Sequence, residues 1–157
     1  MKGGFALGLC EGVSTFLGVG RLPEAPGTWG SAAGVFIFLL LRRFLSKGQM
    51  AVFVFFLFVL GAFCSDIYSK KIGVKDPSEV VVDEVVGMMV ALLPFDGTML
   101  LTALSFVFFR ALDILKPFPV GLFDRKLKGG IGIMADDIVA AIYSTFLIML
   151  LKGFFGV

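Results

Sequence analysis

Apolar residues along this chain come in long runs separated by short polar segments, and the runs set the expected architecture. Residues 29–45 are apolar until Arg42 and Arg43, residues 50–64 are apolar throughout, and a short RRFLSKG connection joins them. Residues 80–91 and 98–109 form a second couple about a turn at 94–97, and residues 138–151 form a last run ending in Lys152 and Gly153. Each run is short against the roughly 20 residues that cross about 30 Å of hydrocarbon. Snorkelling Arg42, Arg43 and Lys47 would extend the first couple. Residues 5–20 are apolar apart from Glu11, and glycines at 8, 12, 18 and 20 weaken the helical pattern there. The expected fold is all-α: a polytopic membrane helical bundle of two transmembrane hairpins and a C-terminal helix, preceded by a short N-terminal helix. Residues 1–157 are expected to form a single domain.

Composition agrees with that picture. The chain is 58% hydrophobic with a mean hydropathy of +0.98, far above a soluble domain, so a membrane is the natural solvent. A net charge of +2, with the cations scattered among apolar runs, argues against nucleic acid as a partner. Residues 1–20 hold one early lysine and Glu11 and no convincing cleavage site, so the mature chain is expected to be the whole chain. Histidine is absent, which excludes serine–histidine and cysteine–histidine pairs, a phosphohistidine and histidine-ligated zinc. Cys10 and Cys64 lie in apolar surroundings and read as inert thiols. The position where a cysteine-phosphatase loop needs arginine is Phe16 for one and Lys70 for the other.

Three polar segments interrupt the apolar runs, and they carry the candidate chemistry. In residues 108–141, Arg110, Asp113 and Lys116 are spaced three apart and share a helix face. Pro117 and Pro119 end that helix, and Gly129, Gly130 and Gly132 are expected to bend the loop that follows. The chain should re-enter a helix near Met134, with Asp136 and Asp137 in its first turn. Asp76, Pro77, Ser78 and Glu79 read as a helix start, which places Asp83 and Glu84 about two turns in among valines and methionines. Ionised and unpaired there, they would be costly. Gly87 leaves a gap on their shared face where a helix or ligand can approach. The plain alternative is that Arg110 or Lys116 pairs with them for packing alone.

In residues 21–31, Thr28 or Ser31 either caps the next helix or joins its amides in receiving an anion. Residues 65–77, with Asp66, Lys70, Lys71, Lys75 and Asp76, read as a polar connection. Phe53, Phe55, Phe56 and Phe58 read as lipid or packing surface. Two hairpins bring the three polar segments to one membrane face, with Arg21, Lys70, Lys71, Lys75, Arg110, Lys116, Arg125, Lys126 and Lys128. Arg42, Arg43, Lys47 and Lys152 fall on the other, and the positive-inside tendency then puts the polar face in the cytoplasm. Carboxylates and cations converging there suit a divalent metal and a phosphate, hence a phosphate-bearing headgroup whose tails stay in the bilayer.

PEAPGTWGS at 23–31, DPSEVVVDEVVGM at 76–88, FRALDILKPFPV at 109–120 and FDRKLKGGIGIMADDIVA at 123–140 together resemble the phosphatidylglycerophosphatase A family. The resemblance implies a Mg2+-dependent phosphatase of phospholipid biosynthesis in the bacterial inner membrane, converting phosphatidylglycerol phosphate to phosphatidylglycerol and inorganic phosphate. It implies Asp83, Glu84, Asp113, Asp136 and Asp137 as catalytic and metal-binding acids, with Arg110 and Lys116 beside them. Gly27, Thr28, Ser31, Arg110 and Lys116 would meet the substrate phosphate. One or two magnesium ions are expected, with attack by water preferred; a carboxylate nucleophile forming an aspartyl phosphate stays open, though the DxD pattern of aspartyl-phosphate phosphatases is missing. Phosphatidic and lysophosphatidic acid are further candidate substrates, and self-association is left open. An ion pathway would line both halves of the membrane with polar groups, and these cluster on one face. A phosphoalcohol transferase is disfavoured because Asp96 and Gly97 are followed by Thr, Met and Leu.

Overall fold

The computed structural model describes residues 2–118 and 129–155. They form six α-helices, and there is no strand among the described residues: α1 (Lys2–Ser14), α2 (Pro26–Leu41), α3 (Lys47–Ile72), α4 (Val82–Leu92), α5 (Met99–Leu115) and α6 (Gly129–Phe155). A 3-10 turn, Val19–Arg21, follows α1. Local sequence sets several of these ends. Ser46 and Gln49 cap α3 reciprocally, with Ser46 N–H donating to Gln49 Oε1 at 2.9 Å and Gln49 N–H to Ser46 Oγ at 3.3 Å. Gly73 closes α3 at a φ of 77°, its N–H donating to Ser69 O. Thr98 caps α5, which stops at Lys116 just ahead of Pro117, as the prolines predict; Pro119 lies outside the described residues.

The short helix α4 is the centre of the bundle, packed against α2, α3, α5 and α6. Val82, Val85, Val86, Met88, Met89, Ala91 and Leu92 on it are fully buried. Helices in lipid adhere by close packing more than by hydrophobic drive, so small residues at their contacts matter. Gly27, Gly30, Ser31 and Gly34 supply them on α2, at spacings that put all four on the face toward α4. A Cβ at Gly34 would lie 2.7 Å from Val85 O. Consecutive helices are not the main packing partners: α2 and α3 share little contact, and α4 touches both.

At 26 and 27 residues, α3 and α6 are each roughly 40 Å long and apolar enough to cross a membrane. Phe36, Phe55, Phe56, Phe63, Val107 and Phe146 are exposed on α2, α3, α5 and α6, which suits lipid better than water. With only 11 residues, α4 is about 16 Å long, too short to cross alone.

Three expectations are corrected. First, residues 65–72 are not a connection but the last two turns of α3, because Ser65, Tyr68 and Ser69 turn inward and are buried. Second, no helix starts at Asp76; Pro77 to Val80 form a turn closed by Val80 N–H on Pro77 O, and α4 begins at Val82. Val81, fully buried, donates its N–H to Ser14 O at 3.0 Å, and this tertiary bond keeps the chain out of a helix where the local signal favoured one. Third, α6 begins at Gly129, so Asp136 and Asp137 lie about two turns in and Gly130 and Gly132 are helical. Gly129 alone among those three glycines has a positive φ, 71°.

The N-terminal helix forms as expected, and a network of ion pairs fastens it. Glu11 accepts from Lys71 Nζ at 2.9 Å and from Arg21, while Arg21 Nε lies 3.6 Å from Glu79 Oε2. Tyr68 donates its hydroxyl to the same Glu79 oxygen at 2.6 Å. The Lys71 ammonium, with Arg21, holds the Glu11 carboxyl below its usual range. Cys10 and Cys64 are buried free thiols.

Candidate active site

With α4 starting at Val82, Asp83 and Glu84 fall in its first turn, where the positive end of the helix dipole favours carboxylates. Five acids from three helices converge there. Oxygens of Asp83, Glu84 and Asp137 lie within 4.8 Å of one another, and so do oxygens of Asp113, Asp136 and Asp137. Asp137 belongs to both groups. It reaches this position because Gly87 on α4 has no side chain: a Cβ there would meet Phe109 Cζ at 2.8 Å and Asp137 Cβ at 3.0 Å. The gap foreseen at Gly87 is therefore filled by α5 and α6.

Two cations answer these acids. Arg110 Nη1 donates to Asp113 Oδ2 at 2.7 Å and lies 3.9 Å from Glu84 Oε1, so it ties α5 to α4. Lys116 Nζ donates to Asp136 Oδ2 at 2.5 Å. The same Arg110 nitrogen reaches Ser31 Oγ at 3.5 Å, and Ser31 donates to Gly27 O at 2.9 Å. Ser31 is thus an interior residue of α2 and not its cap; Pro26 opens the helix, and its N-cap is Ala25. Thr28 is half-buried in the first turn. Gly27 lets the α2 backbone pass directly over the Glu84–Arg110 pair, since a Cβ there would lie 2.2 Å from Glu84 Oε1 and 3.0 Å from both terminal nitrogens of Arg110.

All ten residues singled out from the sequence belong to described elements, and the structure brings the acids, Arg110, Lys116, Gly27 and Ser31 into one cluster. Sequence reasoning missed Phe109, fully buried beneath Asp137 against Gly87, because nothing distinguishes it from its apolar neighbours. Asp124, Arg125, Lys126 and Lys128 of the fourth motif lie outside the described residues.

Among the described residues, the acids of the cluster outnumber its cations. Asp83 Oδ1, Glu84 Oε2 and Asp137 Oδ2 are buried without a hydrogen-bond partner, and so is Arg110 Nε. Unpartnered buried carboxylate oxygens are costly, and oxygen-only sets of this kind fit Mg2+ or a similar hard cation. The donor set therefore fits the metal expected from the sequence.

Known proteins resemble the chain over most of its length. The profile of the family described as "Phosphatidylglycerophosphatase A" matches residues 12–152. The chain is 38% identical over 136 residues to phosphatidylglycerophosphatase A of Haemophilus influenzae, covering 86% of this chain and 83% of the relative. It is 40% identical over 129 residues to phosphatidylglycerophosphatase A of Escherichia coli, covering 81% and 74%. A Bacteroides thetaiotaomicron protein, 34% identical over 150 residues with 92% and 94% covered, is provisionally named a phosphatidylinositol-3-phosphatase. No solved structure matches the chain significantly. Matched over most of its length by both the family profile and these relatives, the chain belongs to the phosphatidylglycerophosphatase A family.

Proposed function

We propose that this protein is a membrane-embedded phosphatidylglycerophosphatase that hydrolyses phosphatidylglycerol phosphate with Mg2+ held among Asp83, Glu84, Asp113, Asp136 and Asp137. The observation that carries the reading is the convergence of those carboxylates on Asp137, with three buried oxygens lacking partners beside Arg110. Magnesium bound there would supply positive charge for the phosphoryl oxygens and make water a better nucleophile.

The chain's own residues would do the rest. Arg110, oriented by Asp113, keeps Nε unengaged and is placed to meet a phosphoryl oxygen. Ser31 and Thr28, in the first turns of α2, offer hydroxyls on the same side, and Lys116 adds a cation at the rim. In the hydrolysis a water oxygen bonds to phosphorus while the bond from phosphorus to the glycerol oxygen breaks. The leaving oxygen takes up a proton from solvent at the membrane surface, and the attacking water gives one up to a carboxylate, which returns it to solvent. Asp83 Oδ1, buried and unpartnered, is the acceptor we assign.

The site end of the bundle carries Arg21, Lys70, Lys71, Lys75, Arg110 and Lys116. Arg42 packs over Gly97 and Lys47 pairs with Asp96 at 2.9 Å at the other end. This asymmetry supports a cytoplasmic site. We place the chain in a bacterial cytoplasmic membrane as a multi-pass protein, with α2–α3 and α4–α5 as its two hairpins.

Purified protein in detergent, given phosphatidylglycerol phosphate, phosphatidic acid, lysophosphatidic acid and phosphatidylinositol 3-phosphate with Mg2+ or EDTA, tests the reading. Phosphate release from the first lipid, abolished by EDTA and restored by Mg2+, is expected. No release from any of the four would overturn the function. Release from phosphatidylinositol 3-phosphate alone would keep the phosphatase and replace its lipid.

A further inference from the structure

We propose that the groove between α2 and α5 seats one acyl chain of the phospholipid substrate, leading it from the phosphate-binding residues down into the bilayer. This rests on the lipid-phosphatase reading above and adds where the lipid lies. The groove is a cavity of about 520 Å³, within the range of about 300–1,000 Å³ usual for small-molecule sites. Its walls are apolar except for Thr102, and it opens sideways where α2 and α5 touch only sparingly.

What fixes the occupant is continuity with the charged site. On α5, Met99, Ala103 and Phe106 line the groove at spacings of four and three, and the next residue on that stripe is Arg110. On α2, Ala32, Val35 and Leu39 line the facing wall, and one turn earlier on that stripe comes Thr28. Ser31 Oγ and Arg110 Nη1, 3.5 Å apart, bridge the two helices at its head. The groove thus has a cation and hydroxyls at the site end and, Thr102 apart, hydrocarbon along its length as far as Gly97, where Arg42 marks the opposite rim, an arrangement that suits an acyl chain hanging from a phosphate. Ala32 and Ala103, both exposed, leave the space between the walls unfilled.

A second apolar cavity, of about 470 Å³, lies on the other side of α4 and does not share this continuity. Its α6 wall is Ala135, Ile138 and Val139. At about 100° per residue these lie on the face of α6 opposite to Asp136 and Asp137. That cavity backs the site and serves as the control.

Ala103→Trp fills the proposed groove from an exposed position, and Ala51→Trp fills the control cavity. With the dioleoyl form of phosphatidylglycerol phosphate, Ala103→Trp should raise KM roughly tenfold or more, while the dihexanoyl form is turned over within about twofold of wild type. Ala51→Trp should change neither. Long-chain turnover untouched by Ala103→Trp would overturn the proposal. A wild type that hydrolyses neither lipid would instead remove the phosphatase reading. The groove would then be judged by a photoactivatable phosphatidylglycerol phosphate labelled midway along its acyl chain, which needs no turnover. Labelling of peptides from α2 and α5 is expected. Labelling confined to α3 and α6, or cross-linking of two copies through the groove, would overturn it.

Discussion

The chain gathers acidic residues at two places, and they are built on opposite principles. Around Glu11 and Glu79, each acid is matched: Lys71 and Arg21 answer Glu11, while Arg21 and Tyr68 answer Glu79. Around Asp137, among the described residues, five acids face two cations, and three carboxylate oxygens are buried without a hydrogen-bond partner. The first network is partly exposed and complete in itself, so it fastens α1 and the 3-10 turn to α3. The second holds more acids than cations among the described residues, which suits the cation and substrate proposed for it.

Substitutions should separate the two regions, beginning where the effect is largest. Asp137→Asn removes the one residue common to both carboxylate groups. Its turnover should fall roughly 1,000-fold in a phosphate-release assay, with the detergent-solubilised protein still folded. The rise in Tm that Mg2+ gives the wild type should also vanish. Arg110→Lys keeps the charge but cannot hold Asp113 while reaching Glu84 and Ser31. A loss of roughly 100-fold in kcat/KM is expected, larger than its change in Tm would explain.

The smallest effect belongs to the matched network. Glu11→Gln should leave turnover within about twofold and lower Tm by about 2 °C at neutral pH. Because Lys71 and Arg21 depress the folded-state pKa of Glu11, its contribution is complete above the ordinary carboxylate range. It disappears as pH falls through that depressed value. The Tm gap between wild type and Glu11→Gln should therefore close in acid. A gap that widened there, or a large loss of turnover at neutral pH, would dissolve the contrast between the two regions.

The acids that gather at Asp137 were legible in the chain itself. Asp83 and Glu84 stand out because valines and methionines surround them, and the three-residue steps from Arg110 to Lys116 mark a charged helix face. The fold class was equally plain from the apolar runs. Element boundaries were less so. Asp76 to Glu79 carries a good local helix-start signal, but burial of Val80 and Val81 and the bond from Val81 to Ser14 override it. Such a contact joins segments far apart in sequence, and no local pattern announces it. The same distance hid the Glu11–Lys71 pair, whose partners are sixty residues apart. Gly27 was legible through the family motif, while the reason for it, passage of a backbone over Glu84 and Arg110, required coordinates.

The central place of α4 bears on how the molecule is made. Synthesis makes α2 and α3 first, and those two have little surface in common with which to hold together. The element that contacts both arrives later and carries the acids with it. Assembly of the bundle and assembly of the carboxylate cluster are thus one event, and a nascent chain halted before Val82 should hold α1 against α3 while α2 stays only loosely associated with α3.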